Sequence, residues 1–131
     1  MSDIEVLWLD DDSPKSIKAI DGVRVVTAQT CEQAEALLSS GKAKPDWIVV
    51  DLIVPQGNWG KPFRRIPGLH YIKHLRNEYG NRFRILALSI VMTPEMKQMS
   101  IEAGAVDAYA KDSTSWVGLI RDLRGRAAHG D

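Results

Sequence analysis

Short apolar runs and stretches of helical spacing alternate along this chain, and that alternation predicts its elements. Residues 4–9 are apolar apart from Glu5 and end in Asp10, Asp11 and Asp12, the pattern of a strand closed by an acidic cluster. Ser13-Pro14 supplies a cap and a first-turn proline, and Ile17 and Ile20 give a short helix one apolar edge before Asp21-Gly22 stops it. Residues 23–27 read as a second strand. Thr30 and Gln33 have capping-box spacing, with Ala34, Leu37 and Leu38 at helical intervals and Gly41 just past the end. Residues 47–52, WIVVDL, have the unbroken apolar character of a strand buried on both faces, with the ionisable Asp51 at its end. After a loop, Leu69, Ile72 and Leu75 resume helical spacing up to Gly80-Asn81. Residues 84–89 form a strand ending in the hydroxyl of Ser89. Thr93-Pro94 opens a helix that Gly104 closes, residues 108–110 form a weak strand ending at Lys111, and Ser113 or Thr114 caps a last helix through Leu123. The segment GRAAHGD from Gly125 onward reads as a flexible tail.

Strand and helix alternating in this way predict one α/β domain, a doubly wound five-stranded parallel sheet with helices on both faces. At 131 residues the chain has the length of a single domain with a proper core, about 4–124. Seventeen basic and seventeen acidic residues leave no net charge, and so no general field for nucleic acid or an anionic membrane. One cysteine, Cys31, excludes an internal disulfide and reads as an ordinary buried or half-buried thiol. No basic-then-apolar leader and no run of membrane-spanning length is present, which predicts a cytoplasmic protein.

The chemistry lies at the strand ends. In a parallel sheet Asp10, Asp11, Asp12, Asp51, Ser89 and Lys111 share one edge, the edge at which such sheets bind ligands. Clustered carboxylates repel, and a hard cation such as Mg²⁺, which uses one or two carboxylates together with waters and phosphate oxygens, relieves them. A carboxylate can also be a nucleophile that accepts a phosphoryl group. The oxygens of that group then need metal, ammonium and hydroxyl partners.

With these motifs in order, VLWLDDD, WIVVDLIVP, ILALS and AGAVDAYAKD, the chain resembles the response-regulator receiver domain of two-component signalling (CheY-like) over nearly its whole length. The resemblance implies strand order 2-1-3-4-5 and Mg²⁺-dependent phosphorelay chemistry. Asp51 would accept the phosphoryl group from a histidine kinase or phosphotransfer protein. Asp11 would bind Mg²⁺ directly and Asp10 through water, alongside Asp51 and the backbone carbonyl of Ile53. Ser89 would hydrogen-bond the phosphoryl group, and Lys111, 22 positions further on, would ion-pair with it. The domain would then change its affinity for an output protein that the sequence does not identify. A dimer formed on phosphorylation is one arrangement the resemblance allows. No nucleic-acid contact by the domain itself, no membrane contact and no substrate turnover are implied. No output domain follows within the sequence, so the chain reads as a stand-alone relay or a fragment of a longer protein.

Four features depart from the family pattern. The loop PQGNWGKPFRRIPG is long and carries three glycines and three prolines. Ile90 follows the switch serine where the family often has a small residue. Asp112 replaces the proline usual after the lysine. Ala108 stands where an aromatic is usual, with Tyr109 one position later, and a one-residue slip on a strand turns a side chain to the other face. These features support an alternative, a pseudo-receiver binding constitutively through the loop from Gln56 to Pro67, with Trp59 and Phe63 as contacts. A phosphohydrolase of the haloacid-dehalogenase kind needs a second acid two residues after its nucleophile, where this chain has Ile53. Taken singly, Asp11 and Asp12 could be a helix cap, Asp51 a turn residue and Lys111 a surface charge; their joint order carries the argument. His70 and His74 have zinc-compatible spacing, but no third ligand is evident and they read as solvated or partly packed. Arg64, Arg65, Lys73, Arg76, Arg82 and Arg84 read as charges on a solvated face.

Overall fold

The computed structural model describes residues 4–12, 22–55, 57, 66–111 and 116–128. The helix expected after Ser13, most of the long loop with Trp59, Phe63, Arg64 and Arg65, and Asp112, Ser113 and Thr114 lie outside these residues. The strands are β1 (Ile4–Leu9), β2 (Val23–Ala28), β3 (Trp47–Asp51), β4 (Arg84–Ser89) and β5 (Asp107–Ala110). All pair in parallel, in the order β2-β1-β3-β4-β5. The described helices are α1 (Cys31–Ser39), α2 (Pro67–Tyr79), α3 (Pro94–Ala103) and α4 (Trp116–Ala128).

Side chains alternate across the strands, so the sheet divides its apolar residues between two cores. Leu7, Leu9, Ile48, Val50, Ile85 and Ala87 pack beneath α1, α2 and α3, joined by Cys31, Leu69, Ile72 and Leu75. Val6, Trp8, Trp47, Val49, Leu86 and Leu88 face the other way, against Leu119, Ile120 and Leu123 of α4. Full burial of such a side chain contributes on the order of 1.5–3 kcal/mol, and every residue of β3 is buried. Among the described residues no helix is long and apolar enough to cross a membrane.

Local signals account for the boundaries. The hydroxyls of Thr30 and Thr93 accept from the N–H groups of Gln33 and Met96, at 3.1 Å each, and so cap α1 and α3. β3 ends at Asp51, one residue earlier than expected, because the chain turns there and the Val54 N–H donates to the Asp51 carbonyl at 3.1 Å. The expected tail is corrected in part. Helix α4 continues through Gly125 to Ala128, since one glycine followed by Arg126, Ala127 and Ala128 costs a helix too little to end it.

Helix α2 starts without a side-chain cap. Instead the Gly68 N–H donates to the Leu52 carbonyl at 2.8 Å, and a Cβ on Gly68 would lie 2.4 Å from the Asp51 carbonyl oxygen and 2.5 Å from the Leu52 Cα. Only glycine permits that approach. A carboxylate hub then ties α2 to α1. Glu35 accepts from the Tyr71 hydroxyl at 3.0 Å and the Tyr79 hydroxyl at 3.1 Å, and meets His74 Nε2 at 2.9 Å.

Gly68→Ala should lower stability by about 1–3 kcal/mol through overpacking, whereas Gly125→Ala, where a Cβ meets nothing within 4 Å, should raise it by about 0.5–1 kcal/mol. Urea denaturation midpoints of the two variants test both signs.

Burial pushes the Cys31 thiol from an ordinary value of 9.0 up to about 12. A pKa raised on folding contributes stability that is fully present below the unfolded value and is lost as pH rises through the folded one. Stability should therefore fall from about pH 9 towards pH 12, and Cys31→Ala should make that fall shallower. At pH 8 the native thiol should react with Ellman's reagent slower than the urea-unfolded chain by at least about a hundredfold.

Candidate functional site

Register brings the expected residues to one edge of the sheet. Leu9 pairs with Val50 across β1 and β3, so Asp10 and Asp51 each stand one position further on, at neighbouring strand ends. Asp51 pairs with Leu88, and Ser89 pairs with Ala110, the residue before Lys111. Asp10, Asp51 and Ser89 are 2%, 6% and 4% exposed, against an exposed Asp11.

Lys111 ties the edge together. Its Nζ lies 2.9 Å from Asp10 Oδ2 and 2.9 Å from Asp51 Oδ2. The remaining carboxylate oxygens are held by backbone, since the Asp12 N–H donates to Asp10 Oδ1 at 3.0 Å and the Ile53 N–H to Asp51 Oδ1 at 3.0 Å. Carboxylate oxygens of Asp10, Asp11 and Asp51 all lie within 4.8 Å of one another. Three carboxylates against one ammonium leave an excess of negative charge at a partly buried edge.

Burial and these neighbours together shift the acid–base properties. Burial pushes the Asp51 carboxyl above its ordinary value; the Ile53 N–H and Lys111 oppose this, and the Asp10 charge reinforces it. For Lys111, burial disfavours the ammonium, but hydrogen bonds and charge from Asp10 and Asp51 outweigh it and raise the pKa. An all-oxygen donor set with uncompensated negative charge suits a hard divalent cation. The aspartate cluster could therefore hold a metal ion.

Ile53 lies in the turn after β3, 59% exposed, and Ile90, the residue after Ser89, is 66% exposed. Ala108 belongs to the core beneath α1–α3, whereas Tyr109 packs into the core on the α4 face. The two residues thus lie on opposite faces of the sheet, as strand parity implies.

Other sequence readings change in detail. His74 is bound up in the Glu35 hub, with a side chain 28% exposed. The basic neighbourhood around α2 is partly structural. Arg76 donates to the carbonyls of Gly104 at 2.8 Å, Gly80 at 3.0 Å and Phe83 at 2.7 Å, while Arg82 and Arg84 lie over the rings of Tyr79 and Trp47. Sequence reasoning missed Glu35 and the role of Arg76. The helical spacing of Tyr71, His74 and Tyr79 was a signal for a polar partner on a neighbouring helix, but nothing singled out Glu35 as that partner.

Neither a family model nor a curated protein sequence matches the chain. Solved structures do match. A Francisella response-regulator receiver domain superposes with a TM-score of 0.77 at 23% identity, covering 98% of this chain and 100% of that one. A CheY-like response-regulator receiver domain protein from Methanospirillum hungatei gives 0.74 at 18% identity, covering 98% and 96%. A response regulator from Thermotoga maritima gives 0.69 at 21% identity, covering 94% and 98%. With the sheet order, the two helical layers and near-complete coverage in agreement, this chain has the fold of a response-regulator receiver domain.

Proposed function

We propose that this chain is a phosphoacceptor of a two-component relay, with Asp51 receiving the phosphoryl group. The observation that carries the proposal is Lys111, whose ammonium joins Asp10 and Asp51 at 2.9 Å each beside a third carboxylate, Asp11. A nucleophilic carboxylate, an ammonium and a cation-binding acid pair are the parts that phosphoryl transfer to aspartate requires.

In this reading an Asp51 carboxylate oxygen attacks the phosphorus of a phosphohistidine on a histidine kinase or phosphotransfer protein. The P–O bond to Asp51 forms as the P–N bond breaks, and the departing imidazole nitrogen takes a proton from solvent. Lys111 exchanges part of its contact with Asp51 for a phosphoryl oxygen, and the Ser89 hydroxyl donates to another. Asp11, Asp51 and the Ile53 carbonyl, with Asp10 through water, would hold Mg²⁺, which when bound supplies positive charge for the phosphoryl oxygens. The chain turns over no separate substrate; the modified state alters affinity for an output protein, or for a second copy, in the cytoplasm. A pseudo-receiver is the second reading. It is supported by Ala108 and Tyr109 on the wrong faces for the usual aromatic switch and by bulky, exposed Ile90 beside Ser89.

Incubation with acetyl phosphate and Mg²⁺ should add one phosphoryl group by intact mass, and both Asp51→Asn and removal of Mg²⁺ should abolish the adduct. An unmodified wild-type chain that also fails to bind beryllofluoride would favour the pseudo-receiver.

Lys111→Met leaves the acidic cluster without its ammonium. In metal-free buffer the variant should be less stable than wild type by more than about 1 kcal/mol, a value reduced from that of a fully buried pair because Lys111 reaches solvent. Mg²⁺ should raise its denaturation midpoint more than that of wild type. No rise in either midpoint with Mg²⁺ would remove the cation from the proposal.

A further inference from the structure

A cavity lies at the opposite end of the sheet from Asp51. It measures about 430 Å³ and is walled by the end of α1, the α1–β3 connection and the α2–β4 turn. That is the size range of small-ligand sites. Leu38, Ala43 and Phe83 form an apolar floor, 8%, 3% and 3% exposed. Lys44 and Arg82 line the same cavity from exposed positions.

Backbone bonds fix the walls. The Ala43 N–H donates to the Leu37 carbonyl at 3.1 Å, the Asp46 N–H to the Glu5 carbonyl at 2.8 Å, and the Arg84 N–H to the Asp46 carbonyl at 3.0 Å. Gly41, at φ 75°, makes the turn, and a Cβ there would meet nothing within 4 Å. The hollow is therefore preformed.

Its charges are unequally satisfied. Asp46 Oδ2 accepts from the Glu5 N–H at 2.8 Å. Glu5 Oε2 accepts from the Lys44 N–H at 2.6 Å, and Glu5 Oε1 lies 3.5 Å from Arg24. Among the described residues, by contrast, neither the Lys44 ammonium nor the Arg82 guanidinium has a carboxylate in ion-pair range. A smaller hollow of about 190 Å³ shares Asp46, Arg82 and Phe83 and adds a further cation, Arg84.

We infer that this cavity binds a small organic carboxylate with an apolar body. The apolar part lies on Leu38, Ala43 and Phe83, and the carboxylate meets Lys44 and Arg82, whose planar guanidinium matches a carboxylate in two parallel hydrogen bonds. The site is separate from the phosphoacceptor edge and stands whether or not Asp51 is modified.

The test is a titration of the ¹⁵N-labelled full chain with sodium octanoate, followed by amide chemical shifts. Acetate supplies the charge without the body, and octanamide the body without the charge. Saturable shifts of the Gly41–Lys44, Asp46 and Arg82–Arg84 amides with octanoate, weakened at least tenfold for acetate, for octanamide and in the Lys44→Gln/Arg82→Gln double variant, would support the site. Both substituted residues are exposed, so apart from the surroundings of Tyr79, whose ring Arg82 overlies, the variant should keep the wild-type spectrum elsewhere. No saturable shift at these amides, shifts centred on the Asp51 edge, an equal response to octanamide, or undiminished binding by the double variant would overturn the inference.

Discussion

The structure turns on one ammonium between two buried carboxylates. A parallel sheet with β1 beside β3 sets Asp10 and Asp51 at adjacent strand ends, where they repel in a poorly solvated edge. Lys111, carried there by β5 on the far side of β4, lies within hydrogen-bond reach of both. The arrangement is costly as a structural device, because charges withdrawn from water repay their desolvation poorly. That cost is the physical reason to look for chemistry at this edge.

The frame that presents the edge is built from two unequal layers. On one face α1, α2 and α3 share a large core and are stitched together by polar groups, the Glu35 hub between α1 and α2 and the Arg76 contacts joining the end of α2, the start of β4 and the turn after α3. On the other face the core of the described residues is sealed by Leu119, Ile120 and Leu123 of α4. Gly68 belongs to the first layer, and its missing Cβ lets α2 begin directly against the backbone of Asp51 and Leu52.

Much of this was legible in the sequence. Apolar runs located all five strands, most sharply the central β1, β3 and β4, because a strand buried on two faces tolerates almost nothing else. The reactive residues were legible for a related reason: Asp51, Ser89 and Lys111 end apolar strands, where a polar group is conspicuous. The opposite faces of Ala108 and Tyr109 followed from strand parity alone. What escaped were contacts that depend on how helices pack. Glu35 looks like any helical glutamate until α2 lies beside α1, and Arg76 looks like a surface cation until three carbonyls converge on it. The end of α4 was misjudged because Gly125 resembles a stop signal, although the residues after it still favour helix.

The placement of Lys111 late in the chain bears on how the molecule assembles. β1 and β3 can pair as soon as residues up to Asp51 are available, and that pairing already brings Asp10 and Asp51 together. The compensating ammonium arrives only when β5 docks on β4 at the sheet edge. Without β5 the sheet lacks the ammonium that offsets part of this carboxylate repulsion, so β5 is coupled electrostatically to the centre of the domain. A strand at the rim of the sheet thereby governs the charge balance at its middle.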